Sequence, residues 1–335
     1  MLVPEFWAEA SRRNSPHQTH GGRRSKQVTV HRFGWSNASQ ADAQAMAEQR
    51  AQDALQRIVS GEVLDRREPR AGYNGGDGVP IREEVLSRHG DDLVITRNSY
   101  GAHCLNSTNA LFADVDLDPR PPSSLGWALF AALALMGGVA AWVLSSKLGA
   151  VVGIVLAAVL AGPLARIVWR LAGQGGRAPE KKALERVQAF VAQHPDWGIR
   201  AYRTPMGLRL LAVHRTFSPE EEAAQAFFES MDTDPLYVRM CRHQRCFRAR
   251  LTPKPWRMGM AQHIAPRRGT WPVTNAEILS RREAWVRAYE QKAKGFAACH
   301  FLASYGRATV HIDLDPVVRL HDDACQAMHT ALPLA

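Results

Sequence analysis

A chain of 335 residues accommodates one large domain or two ordinary ones. With 25 Gly, 5 Cys and a hydrophobic share of 46%, collagen-like, disulfide-scaffold and wholly disordered classes are excluded. The excess of 42 Lys and Arg over 32 Asp and Glu gives a net charge of +10, a balance that favours phosphate-bearing partners.

Residues 1–35 hold Arg12, Arg13, Arg23, Arg24, Lys26 and Arg32 among Ser, His, Gly and Gln without sustained periodicity, and read as a disordered basic tail. From Ser36 to Ser60, Ala43, Met46, Ala47, Ala54, Leu55, Ile58 and Val59 recur at helical steps, which predicts an amphipathic helix. The stretch GYNGGDG that follows lacks the Lys and Ser/Thr of a phosphate-cradling loop and reads as a turn. Strands are expected at Leu93–Arg97, Ala102–Leu105 and Ala110–Leu117, forming an antiparallel meander.

From Leu125 to Trp169 the only charge before Arg166 is Lys147, at a Ser-Ser-Lys break. A bilayer core takes about 20 apolar residues as a helix, so Leu125–Leu144 and Leu148–Trp169 predict a transmembrane hairpin. Trp127, Trp142 and Trp169 lie near its ends, where amphipathic rings prefer the headgroup region. Arg166, Arg170, Arg177, Lys181, Lys182 and Arg186 crowd its C-terminal flank. By the positive-inside rule this places both termini in the cytoplasm, at a bacterial inner membrane. Unpaired cysteine spacing agrees with that reducing compartment.

After the hairpin a helix is expected over Pro179–His194, then a β-hairpin of GIRAYRT and LRLLAVH, a helix capped by Ser218 and Glu221, and a shorter one started by Asp234-Pro235. A strand at Phe247–Leu251, a helix near Asn275–Lys294, strands at Ala297–Leu302 and Thr309–Ile312, and a helix from about Pro316 complete the chain. The fold class is α+β: residues 36–122 and 178–335 form one mixed or antiparallel sheet domain, into which the hairpin at 125–171 is inserted.

Two constellations bear chemistry. In LFADVDLDP, Asp114, Asp116 and Asp118 alternate at the end of an apolar strand, and VHIDLDP places Asp313 and Asp315 at a second one. Convergent carboxylates of this kind suit Mg²⁺ or Mn²⁺ and phosphoryl chemistry, with Asp114, Asp116 and Asp313 as catalytic and metal-binding residues. The same pattern also serves simply to end strands and cap helices, as Asp315-Pro316 would. The second constellation is Pro235–Ala276, free of Asp and Glu, with Arg239, Arg242, Arg245, Arg248, Arg250, Lys254, Arg257, Arg267 and Arg268 interleaved with Tyr237, Phe247, Trp256 and Trp271. Cations beside aromatic platforms suit a nucleotide or nucleic acid, and equally an anionic lipid surface or an acidic protein partner. Cys241, His243, Cys246 and His263 match no standard zinc spacing; Cys299-His300, His214 and His321 read as ordinary packing residues.

The stretches VITRNSYGAHCLNS, LFADVDLDP, YRTPMGLRLLAVH, DPLYVRMCRHQRCFRARLTPKPWRMG and VVRLHDDA resemble a family of bacterial two-helix membrane proteins of unassigned function. The order of Asp114 and Asp116, the turn in RTPMGLRLLAVH and Asp313 also resembles the core of archaeo-eukaryotic primases and primase-polymerases. Arg209 stands where that family has His, and the hairpin interrupts its motifs, so the resemblance implies retained nucleotide binding more than polymerisation. It implies phosphate contacts at Arg209, Arg248 and Arg250, to which the basic stretch adds Lys254 and Arg257 as phosphate-binding candidates, and leaves open whether the chain is an enzyme.

Overall fold

The computed structural model describes residues 1, 3–14, 27–68, 79–117, 121–145, 147–172, 178–267 and 271–335. The GYNGGDG turn, Asp118, Arg177 and Arg268 lie outside them. The fold is mixed α/β with antiparallel sheets and two helices long and apolar enough to cross a membrane.

Strands β1 (Phe6–Arg13) and β2 (Thr29–Ser36) pair antiparallel and carry helix α1 (Gln40–Val59), capped by Ser39. This corrects the tail expected over 1–35 for residues 3–14 and 27–35; Arg23, Arg24 and Lys26 lie outside the described residues. Trp7, Ala8, Ala10, Val30 and Phe33 pack inward, while Arg12 and Arg32 pair with Glu48 and Glu68. The basicity of Arg12 and Arg32 therefore belongs to a neutralised face of folded structure. Gly34 permits the contact with α1, because a Cβ there would lie 2.1 Å from the Ala43 carbonyl oxygen.

Next come β3 (Glu84–His89), β4 (Leu93–Arg97), β5 (His103–Ser107) and β6 (Phe112–Asp116). Strands β3, β4 and β5 form the meander, but β6 leaves it for another sheet, contrary to expectation. Helices α2 (Ser123–Val143) and α3 (Lys147–Leu171) follow. Only 6% and 17% of their most apolar windows are buried. A helix pair hidden in a soluble core would be covered, whereas Leu135, Trp142, Val143 and Leu148 are each exposed by two-thirds or more. Gly137 and Gly153 meet where the two backbones approach, since a Cβ on Gly137 would lie 2.9 Å from the Gly153 Cα.

Helix α4 (Ala178–Gln193) leads into β7 (Gly198–Thr204) and β8 (Gly207–Ala212). Helix α5 starts at Glu222 rather than Ser218; the Ser218 amide still donates to Glu221, but within a turn that precedes the helix. Helix α6 (Pro235–Gln244) is capped by Asp234 as expected. Strand β9 (Phe247–Arg250), helix α7 (Ala276–Ala293), strand β10 (His300–Gly306) and helix α8 (Asp315–Cys325) complete the order. The strand expected at Thr309–Ile312 is instead irregular chain ending in a 3₁₀ turn over Ile312–Leu314.

The two four-stranded sheets run β3-β4-β5-β9 and β10-β7-β8-β6, so each takes strands from both sides of α2–α3. One core cluster serves both, joining Leu93 and Leu105 of the first sheet to Phe112, Ile199 and Leu208 of the second and to Phe227 and Met240 of the helices.

Candidate functional site

Strands β6 and β8 pair with Asp114 opposite Arg209 and Asp116 opposite Gly207. Alternation puts both carboxylates on one face. Gly207 is required for this approach, because a Cβ would stand 2.0 Å from the Val115 carbonyl oxygen. Arg209 is 2% exposed. Its Nε donates to Asp114 Oδ1 at 3.0 Å and its Nη1 to the Arg250 carbonyl at 2.8 Å, with His321 Nε2 farther off at 3.4 Å. Burial works against its charge, and Asp114 more than restores it, so its pKa lies above that of a free guanidinium.

Asp234 joins this face through its capping role: its carboxylate accepts from the Leu236 amide at 3.0 Å, and its own amide donates to the Asp114 carbonyl at 3.3 Å. Tyr237 on α6 locks the arrangement, donating to the Phe112 carbonyl at 2.9 Å and accepting from the Arg248 amide at 3.2 Å. The end of β9 and the 3₁₀ turn Pro255–Met258 supply the opposite wall, Arg250, Lys254 and Arg257. Together with Thr204, Met206 and Leu208 these residues bound a polar cleft of about 580 Å³, open mouth included.

Three carboxylates thus face three cations, backed by a buried guanidinium. Among the described residues, no ion pair ties up Asp116, Arg250, Lys254 or Arg257, and the Nε of Arg250 is buried without a hydrogen-bond partner. Burial raises the pKa of Asp116, helped by Asp114 and Asp234 and opposed by Lys254 and Arg257. Lys254 is pushed down to about 8, first by burial and then by Arg250 and Arg257. Arg257 is lowered as well, first by burial and then by Arg250. At the rim Trp256 is half exposed, with Lys254 Nζ 5.6 Å from its ring centroid and Tyr100 edge-on to it.

Six of the residues predicted from sequence therefore share one cleft: Asp114, Asp116, Arg209, Arg250, Lys254 and Arg257. Two do not. Arg248 is buried, gripping Glu83 at 2.7 and 2.8 Å and Asn106 Oδ1 at 3.0 Å, so it ties β9 to the meander and does not line the cleft. Asp313 sits exposed in the 3₁₀ turn after His311, whose amide bonds the Val213 carbonyl just past β8, whereas Asp116 lies beside Gly207 at its start. At about 3.4 Å per residue the two are roughly 20 Å apart along the strand, too far to share a metal.

The arginine stripe is also broken: Arg239 and Arg242 lie on α6, but Arg245 adopts a left-handed cap conformation and pairs with Glu220. Cys241 and Cys246 are buried in separate clusters while His243 and His263 are exposed, so the four-residue zinc set does not assemble. Sequence reasoning missed Asp234 as a cleft carboxylate, although its capping signal placed it. It also missed the meeting of His321 with Cys299, whose only trace was a His and a Cys four apart on α8.

Described residues on either side of α2–α3 lie at this end of the sheet. Helix α2 begins at Ser123, seven positions after Asp116, and Glu180, near the start of α4, pairs with Arg203 beside the cleft residue Thr204. Comparison of the chain with protein-family models, curated proteins and solved structures finds no match.

Proposed function

We propose that the chain is a membrane-anchored protein of the bacterial inner membrane, both termini cytoplasmic, that binds a nucleotide or a nucleic-acid end in the cleft between β6 and β9. The observation that carries this reading is the facing of Asp114, Asp116 and Asp234 by Arg250, Lys254 and Arg257 across a polar cleft without close pairing. Phosphate oxygens suit the cations. Bare phosphate would be repelled by the carboxylates, which a divalent cation such as Mg²⁺ or Mn²⁺ would neutralise, so a metal–phosphate complex fits both walls. The raised pKa of Asp116 reflects that same crowding after burial. Trp256 at the rim offers a stacking surface for a base.

The test is equilibrium binding of a fluorescent ATP analogue to the full chain in nanodiscs of neutral lipid. Saturable binding that depends on Mg²⁺ and weakens roughly tenfold in Lys254→Ala or Arg257→Ala supports the reading. Its absence sinks it.

A second reading, capture of an anionic lipid headgroup, draws on the position of the cleft near the described residues that flank α2–α3. It predicts that anionic lipid in the nanodisc occupies the cleft, so that native mass spectrometry finds retained anionic lipid, lost in Lys254→Ala. Equal retention by the variant counts against this alternative.

A further inference from the structure

Behind the cleft wall lies a second cluster that the reading above does not use. Cys299, just before β10, and His321 and Cys325, one helical turn apart on α8, are all fully buried. The Cys299 and Cys325 sulfurs and an imidazole nitrogen of His321 lie within 4.8 Å of one another, with Cys299 Sγ 3.9 Å from His321 Nε2. In tetrahedral zinc sites, Zn–S near 2.3 Å and Zn–N near 2.0–2.1 Å put ligand atoms roughly 3.5–3.8 Å apart. The cluster is therefore a few tenths of an ångström from that spacing on the edge between Cys299 and His321.

The backbone and the second layer are already set. The Ala298 amide donates to the Cys325 carbonyl at 2.9 Å, fixing the two cysteines beside each other. His321 Nδ1 faces Asp322 Oδ1 at 3.1 Å, and Asp322 is in turn held by Arg200 at 2.5 Å. A carboxylate on the far nitrogen fixes the tautomer that leaves Nε2 free to ligate, the usual outer support of a metal-bound imidazole. Arg209 approaches Nε2 only at 3.4 Å, after committing to Asp114 and Arg250 at shorter range. Two thiolates and a neutral imidazole would cancel the charge of a divalent ion, so loading the site adds no net charge beside that buried guanidinium.

We propose that Cys299, His321 and Cys325 form a zinc site that fastens α8 to the start of β10, with a fourth position left for a small ligand. Soft thiolates with imidazole select zinc over the oxygen-seeking Mg²⁺ and Mn²⁺ suited to the carboxylate wall, so the two sites take different ions.

The experiment uses the full chain purified in detergent with a tag that binds no metal. Elemental mass spectrometry should find about one zinc per chain. After zinc removal under reducing conditions, Co²⁺ should restore one equivalent with thiolate-to-cobalt charge-transfer absorption, reduced in Cys299→Ser and Cys325→Ser and unchanged in Cys246→Ser, a buried cysteine elsewhere. Asp322→Asn should weaken cobalt binding about 10–100-fold without changing the number of sulfur ligands. Cobalt uptake of this kind by a chain isolated without zinc still supports the site. A reduced chain that binds no cobalt overturns the proposal, as does a cobalt spectrum that neither Cys299→Ser nor Cys325→Ser alters. The wild-type titration decides the matter even if a variant fails to fold.

Discussion

Lys254 is the residue whose charge the protein has made conditional. Its ordinary pKa of 10.5 is lowered to about 8, because burial and the neighbouring Arg250 and Arg257 disfavour a third cation. Below that pH it is protonated and available for the phosphate contact proposed above; above it the charge is gone. Affinity for a phosphate ligand should therefore fall as pH rises from about 7 to 9, and Lys254→Arg, charged throughout, should flatten the fall. A binding titration across that range checks both. Between about 8 and 10.5 the unfolded chain keeps a proton that the folded one has released, so this group makes stability rise with pH there.

Arg248 carries the same kind of charge to the opposite end. Its grip on Glu83, both nearly inaccessible, converts a sequence position that looked like a ligand contact into a strut. Glu83→Gln leaves a buried guanidinium without its counter-charge and should cost about 3–5 kcal/mol in stability, read from urea unfolding in detergent. Sequence alone could not distinguish Arg248 from Arg250, two positions along one strand. The partner that captures Arg248, Glu83, comes from the far side of the α2–α3 hairpin, and no local pattern announces it.

Among the elements, α6 shows how capping chemistry and site chemistry can coincide. Asp234 was legible as the start of a helix from Asp-Pro; that the same carboxylate enters the cleft follows from the pairing of its amide with Asp114. The two roles separate by mutation. Asp234→Asn keeps a good cap and removes the charge, so stability should hold while metal-dependent binding drops; Asp234→Ala should lose about 1 kcal/mol of stability as well. Thermal unfolding measured alongside nucleotide binding would reveal the split.

Strand ends were the other readable feature, and they were half misread. Asp114 and Asp116 project as period-two alternation requires, but LFADVDLDP and VHIDLDP look alike while only the first is a strand. Pattern fixes which residues share a face, not which end of the sheet a second segment reaches. The N-terminal segment failed for the opposite reason: its arginines masked Ala8, Ala10 and Val30, whose partners on α1 supply the apolar face that a lone hairpin lacks.

At the scale of the molecule, α2 and α3 divide the chain without dividing the sheets. Strand β6 pairs with β8, and β5 with β9, across the interruption. Each arm alone would leave a sheet short of a strand and an apolar edge bare. Residues 1–117 and 178–335 expressed separately should be insoluble or lack cooperative unfolding, and should form a stable soluble complex when co-expressed; co-purification and circular dichroism check this.

The interleaving also imposes an order on biogenesis. Asp116 emerges from the ribosome before the apolar hairpin, yet its partner Gly207 is synthesised only after both spans. During that interval β6 has no sheet neighbour to complete it, and a hairpin inserted as proposed would hold its end at the bilayer surface. The returning chain would then emerge beside the same surface, where β8 would find β6 already tethered. On the proposed membrane-anchored reading, insertion would act as a folding step for the cleft, shortening the search by which its acidic and basic walls meet.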